Sequence, residues 1–425
     1  MDLEGKKLLI LGGTYPSCEI IKQAHKQGIY VLVSDYLEES PGKKIADESF
    51  MISTTDVEGI VKVIKEENID GMLNIFTDSM IPYYQSICEK ACIPCYATRE
   101  QVEISTNKLR FKELCRAFDV PVVEDYKIQY PFTLQDIKSI HYPILIKPVD
   151  NSGGRGIFIC NNPEELMDNY EQALSMSPSK KVLVERYINE KEATIYYIIQ
   201  NGEIYLYSMS DRYIKRIKNG FIPLPVAYSF PSRNLKRYQE SLNTKVIEMF
   251  KSISIQNGVL FIQSLVENGN CVFYEMGYRL STAMEHVIIS KLNKINPLEM
   301  MINYALTGKM NEKSIKPFTN PNYHKWGCNI TFLAKPGRVG QIIGIDEVSS
   351  LEKVIDIIPN YSEGDVIPES ALGTLNQVVL RVFATTRTKS ELAELINKVQ
   401  SLIKIHSTDG RDMLLDVFDT RELFK

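Results

Sequence analysis

A chain of 425 residues exceeds what one ordinary hydrophobic core spans, so two or three domains are expected. Its composition, 44% hydrophobic and 24% charged, is that of a globular protein, and the net charge of -4 argues against a general nucleic-acid or anionic-membrane binder. No apolar run reaches the roughly 20 residues that cross a bilayer.

The opening apolar run, Leu8-Leu9-Ile10-Leu11, is too short for a signal peptide, and Gly12-Gly13-Thr14 reads as a strand-to-helix turn, so a cytoplasmic protein is expected. The eight cysteines are then read as reduced thiols. Strands over 7–11, 30–33 and 71–75 alternate with helices over 17–27 and 56–67, which predicts a parallel sheet covered on both faces. A helix over 81–90 and a short strand over 93–96 complete this unit. Asp35 closes the second strand as in dinucleotide folds, but Gly12-Gly13-Thr14-Tyr15-Pro16-Ser17 lacks the G-x-G-x-x-G spacing.

Cys88-x3-Cys92-x2-Cys95 has the ligand spacing of radical iron–sulfur enzymes. Cys88 and Cys92 are, however, four apart on a helix and are expected on one face packed against the sheet, with Cys95 following Pro94 into the strand.

From Ser105 the pattern becomes α+β. A helix over 107–118 precedes strands over 144–147, 156–159 and 182–185. Strands over 193–200 and 203–209 flank Asn201-Gly202, and those over 259–266 and 271–276 flank Asn268-Gly269; both are hairpin signals. A long helix is expected over 235–252. Beyond residue 320, strands over 328–334 and 377–384 and a helix over 389–403 suggest a smaller unit. The expected domains are 1–104, 105–320 (with a lid over about 120–190) and 321–425.

Tyr142-Pro143-Ile144-Leu145-Ile146-Lys147-Pro148-Val149-Asp150-Asn151-Ser152-Gly153-Gly154-Arg155-Gly156-Ile157 carries the most chemistry. A buried strand delivers one lysine, then opens into a glycine-rich loop and returns as a strand. Glycines let backbone N–H groups approach phosphate oxygens, and the lysine adds a point charge. A Walker loop is excluded, because no Gly-Lys-Ser/Thr occurs and a strand follows.

This segment and its neighbours resemble the ATP-grasp superfamily in order along most of the chain. The resemblance implies an α/β and α+β architecture: an N-terminal parallel-sheet domain, a central ATP-grasp domain and a small C-terminal cap, the last around Pro336-Gly337-Arg338 and Gly344-Ile345-Asp346. It implies that ATP is held by Lys108, Lys147, Ser152, Gly153 and Gly154, by the hinge Glu185, Arg186 and Ile188, and by Glu192 at the ribose. Glu275-Met276-Gly277-Tyr278-Arg279 stands where the family has Glu-x-Asn-x-Arg. Mg²⁺ (or Mn²⁺) would then lie on Glu275 and Gln263, with Arg279 and Lys147 catalytic. Gln263 replaces a usual carboxylate and Gly277 a usual asparagine, which weakens the second metal position. His286 reads as a helix-face residue.

The implied reaction activates a carboxylic acid as an acylphosphate and couples it to an amine or similar nucleophile. The alternatives are a bicarbonate-using carboxylase or carbamoyl-phosphate-synthase-like enzyme, which would need a carrier or partner, and a degenerate ATP-binding regulatory protein. Partners are therefore small molecules, with no nucleic acid and no membrane, and a homodimer is the default for this size.

Overall fold

The computed structural model of the chain describes all residues except 75, 129, 152–154 and 216–223. The apolar run at the N-terminus forms β1 (Lys7–Leu11), with Leu8, Leu9 and Ile10 fully buried. It pairs in parallel with β2 (Tyr30–Ser34) and β4 (Gly71–Leu73), while β3 (Glu48–Phe50) edges the sheet in the order β3-β2-β1-β4. Parallel neighbours require crossovers, supplied by α1 (Tyr15–His25) and α2 (Val57–Glu66), before α3 (Ile81–Ala91) follows β4. Asp56 caps α2 by accepting from the Gly59 N–H.

Two expectations fail here. Residues 93–96 form no strand. The backbone carbonyls of Cys95 and Tyr96 accept instead from the hydroxyls of Tyr304 (3.1 Å) and Tyr278 (3.0 Å), so side chains distant in sequence take the place of a sheet neighbour. Cys88 is buried on α3, but Cys92 is exposed at the left-handed C-cap (φ 56°), so only Cys88 lies on the packed face. The helix ends one residue too early for both thiols to share it.

Next come α4 (Arg99–Thr106) and α5 (Lys108–Ala117), joined at Asn107. Asn107 ends one helix and caps the other, accepting from Leu109 N (3.0 Å) and Arg110 N (3.2 Å), which sets Lys108 in the first turn of α5. α4, absent from the sequence reading, begins with a Thr98–Gln101 capping box. After the short α6 (Leu134–Ser139), β5 (Ile144–Pro148) runs between β6 (Phe158–Cys160) and β7 (Val182–Arg186) in a small antiparallel sheet. α7 (Pro163–Ser175) packs Leu166, Tyr170 and Ala173 into that sheet's own core.

The largest sheet begins with β8 (Lys191–Gln200), β9 (Glu203–Lys215) and β10 (Leu224–Phe230). The helix expected over 235–252 is two, α8 (Leu235–Ser241) and α9 (Asn243–Ser252), because Leu242 leaves helical geometry. At the break, Asn243 Oδ1 accepts from the Tyr197 hydroxyl at 2.7 Å. β11 (Gly258–Glu267), β12 (Asn270–Gly277), α10 (His286–Asn293) and α11 (Pro297–Thr307) follow. The C-terminal part contributes β13 (Trp326–Leu333), β14 (Gly337–Ile343), α12 (Ile345–Ser349), β15 (Val354–Pro359), β16 (Val366–Ile367), β17 (Val378–Thr386), α13 (Lys389–Leu402) and β18 (Lys404–Ser407). Eight of these strands form one sheet in the order β12-β11-β8-β9-β10-β13-β17-β15. Among the described residues, no helix is long and apolar enough to cross a membrane.

Candidate functional site

A cleft lies between the small β5–β7 sheet and the β12-β11-β8-β9-β10 part of the large one. Strand alternation explains why polar groups gather there, since residues two apart share a face. The register aligns Glu275, Gln263, Thr194 and Ser210 in one row across β12, β11, β8 and β9, with Glu192 opposite Arg212 two residues on. From the other side, β5 and β7 contribute Lys147 and Glu185, and Leu145, Ile157 and Ile159 make an apolar wall.

Lys147 is only 4% exposed, and its ammonium lies 2.6 Å from Glu185 Oε2. Glu185 Oε1 takes a second cation, Lys112 Nζ, also at 2.6 Å, and Lys112 reaches Asp125 at 3.0 Å, where Arg116 joins. Burial alone would raise the Asp125 carboxyl, but the Lys112 and Arg116 charges outweigh it and hold it below the usual carboxylate range. Three cations thus face two carboxylates along a chain that runs from the exposed Arg116 to Lys147, which lines the cleft.

Lys108 opens onto an adjoining pocket, with Nζ donating to the Asn151 carbonyl at 2.5 Å. The two pockets share Asp78 and Glu275. Ser152, Gly153 and Gly154, expected at the phosphates, lie outside the described residues. Glu185, Arg186, Ile188 and Glu192 all line the cleft. The Arg186 side chain is tied to Glu267 (2.7 and 2.9 Å) and its N–H to the Glu124 carbonyl (2.9 Å). Glu192 pairs with Arg212 and accepts from the Tyr274 hydroxyl at 3.2 Å.

Glu275 and Gln263 stand opposite one another on β12 and β11. Among the described residues, Glu275 has no ion-pair or hydrogen-bond partner, so a hard carboxylate oxygen set beside an amide carbonyl fits one hard cation. Gly277 has a steric reason: a Cβ there would meet the Phe261 ring at 2.5 Å. That ring also lies under the Arg279 guanidinium, 5.1 Å from its centroid.

Arg279 is 7% exposed, and its Nε donates to Asp78 Oδ1 at 2.6 Å while Nη2 reaches Oδ2. Sequence reading missed Asp78. It stands shortly after the carboxyl end of β4, where α/β sheets place ligand-binding groups, and that position was the available signal.

Next to this loop, Glu285 and His286 are both buried. Burial pushes the Glu285 carboxyl up from 4.5 to about 7 and His286 down to about 3. A carboxyl raised in the folded state binds its proton more tightly there, so stability is greatest below about pH 4.5 and falls as pH rises towards 7. His286 acts in the opposite sense, with its stabilisation lost as pH falls from 6.5 towards 3. Glu285→Gln is therefore expected to stabilise the protein at pH 8, by on the order of 3 kcal/mol, and to change little at pH 4.5. Thermal unfolding of the two proteins at both pH values checks this; equal differences at the two pH values would show that burial does not raise the Glu285 carboxyl.

Comparison with known proteins adds to this geometry. Residues 107–313 match the family described as carbamoyl-phosphate synthase L chain, ATP binding domain. A formate-dependent phosphoribosylglycinamide formyltransferase of Prochlorococcus marinus is 30% identical over 190 residues, 43% of this chain and 48% of that protein. The match thus spans about half of that relative's length. Among solved structures, the L-amino acid ligase of Bacillus licheniformis has TM-score 0.76 at 17% identity, covering 95% of this chain and 99% of that one. The biotin carboxylase domain dimer of Hydrogenobacter thermophilus 2-oxoglutarate carboxylase, in complex with MgADP, ADP and bicarbonate, has TM-score 0.75 at 19% identity, covering 96% and 91%. At these identities the likeness is one of fold.

Proposed function

We propose that this chain, an ATP-grasp protein, is an ATP-dependent ligase that joins a carboxylic acid to an amine and releases ADP and phosphate. The observation that carries the reading is convergence. Lys147, Glu185, Glu192, Gln263, Glu275 and Arg279 come from five strands and a loop, yet line one cleft.

In this reading the apolar wall of Leu145, Ile157 and Ile159 takes the purine, Glu192 the ribose and Lys147 the phosphates. Glu275, with Gln263, holds Mg²⁺, which supplies charge neutralisation at the phosphates. An oxygen of the acid bonds to the γ-phosphorus while the bond to the β–γ bridging oxygen breaks, giving an acylphosphate and ADP. The amine nitrogen then bonds to the acyl carbon, the carbon–oxygen bond to phosphate breaks, and the nitrogen's proton passes to solvent. Lys147, Lys108 and Arg279 stabilise charge and orient the reactants, and no protein nucleophile is needed. Its small, diffusible reactants suit a cytoplasmic enzyme, and a homodimer remains part of the proposal.

The matched family is described by carbamoyl-phosphate synthase, and a biotin carboxylase domain in complex with bicarbonate has a similar fold, so bicarbonate as the acid is the second reading. ADP release is measured with Mg-ATP and paired amino acids, then with bicarbonate. The expected result is release that needs both members of a pair. Release with bicarbonate alone would favour the second reading, and nucleotide binding without release under any condition would favour a regulatory protein.

A further inference from the structure

Arg381 on β17 is 2% exposed, yet it has no carboxylate partner among the described residues. Its Nη1 donates to Thr331 Oγ1 at 2.7 Å and its Nε has no partner. The register places Thr331 beside Arg381 and Asn329 beside Tyr228, with Tyr228 beside Arg212 on β9. Residues two apart share a face, so the Arg381 side chain stands on the same sheet face as Arg212 and Tyr228, which line the cleft.

The segment before α10 forms the facing wall. Asn329 Nδ2 donates to the Ala283 carbonyl at 2.6 Å, which ties this segment to β13. Within it, Glu285 is 1% exposed; Oε1 accepts from Ser281 N at 3.1 Å, and Oε2 has no partner. Ser281 and Thr282 reach the cleft. Burial lowers the Arg381 guanidinium, with the nearby Glu285 carboxyl partly offsetting this and Arg212 adding to it. A buried charge without a counter-charge is costly, and two opposite charges that do not pair with each other complement a ligand carrying both.

We propose that Arg381 and Glu285 form a subsite at the β17 end of the cleft that takes an α-amino acid, its carboxylate on Arg381 and its ammonium on Glu285. The proposal rests on the ligase reading of the cleft. An amino acid whose carboxylate is held by a guanidinium is the amine partner, since that carboxylate is not available to attack ATP.

The test is calorimetry without nucleotide, using each of the twenty proteinogenic L-amino acids on the wild type. For the tightest binder, its des-amino acid and its decarboxylated amine are then compared. We expect the intact amino acid to bind best and Arg381→Gln to weaken it about 30-fold or more. Glu285→Gln should abolish the preference over the des-amino acid. Should Arg381→Gln fail to fold, Thr331→Val carries the test, with about fivefold weakening expected. Binding of no amino acid to the wild type, or unchanged affinity in these variants, overturns the subsite. Mg-ATP titrations on the same samples separate the two ideas: ATP binding without amino-acid binding sinks only the subsite, whereas amino-acid binding without ATP binding sinks the ligase reading.

Discussion

Lys147→Ala is expected to weaken Mg-ATP binding at least about 100-fold, measured by calorimetry. Lys147 adds one positive charge to the otherwise neutral Lys112–Glu185–Asp125–Arg116 set and is the member of it that lines the cleft. Removing it leaves Lys112 and Arg116 against Glu185 and Asp125, a neutral set with nothing to offer a polyphosphate. The fold should survive, because Glu185 keeps Lys112 at 2.6 Å. The stability loss should therefore stay below the about 3–5 kcal/mol typical when a buried pair is broken. Unchanged ATP affinity in a folded Lys147→Ala protein would rule out the phosphate role.

Glu275→Gln is expected to reduce ADP release about 100- to 1000-fold while nucleotide binding falls far less. The carboxylate has no protein partner among the described residues, so its removal breaks no ion pair and should leave the unfolding temperature nearly unchanged. What is lost is the hard anionic oxygen beside Gln263. The variant should also need a higher Mg²⁺ concentration for half-maximal release. A Glu275→Gln protein with the wild-type Mg²⁺ requirement would move the cation elsewhere.

Much of this architecture was legible locally. The Asn201-Gly202 and Asn268-Gly269 turns both adopt positive φ at each residue, as a two-residue hairpin demands, and they set the β8–β9 and β11–β12 pairs. The alternation of apolar strands with helices announced the parallel sheet. Failures occurred where a local signal was overruled from afar. Residues 93–96 look like a strand, but their carbonyls are claimed by Tyr278 and Tyr304. The long helix over 235–252 breaks at Leu242 beside an inward hydrogen bond from Tyr197 to Asn243.

By itself, the sequence determined the order of most elements, the hairpins and the lysine-and-glycine segment, because each depends on contacts within a few residues. Only the tertiary structure decided which charges meet. Arg279 finds Asp78 across 201 positions, Lys147 and Lys112 share Glu185, and Arg381 and Glu285 are both buried, each with a side-chain atom that has no partner. Charge pairing of that kind depends on where distant strands come to lie in a low-dielectric interior, and no short window of residues encodes it.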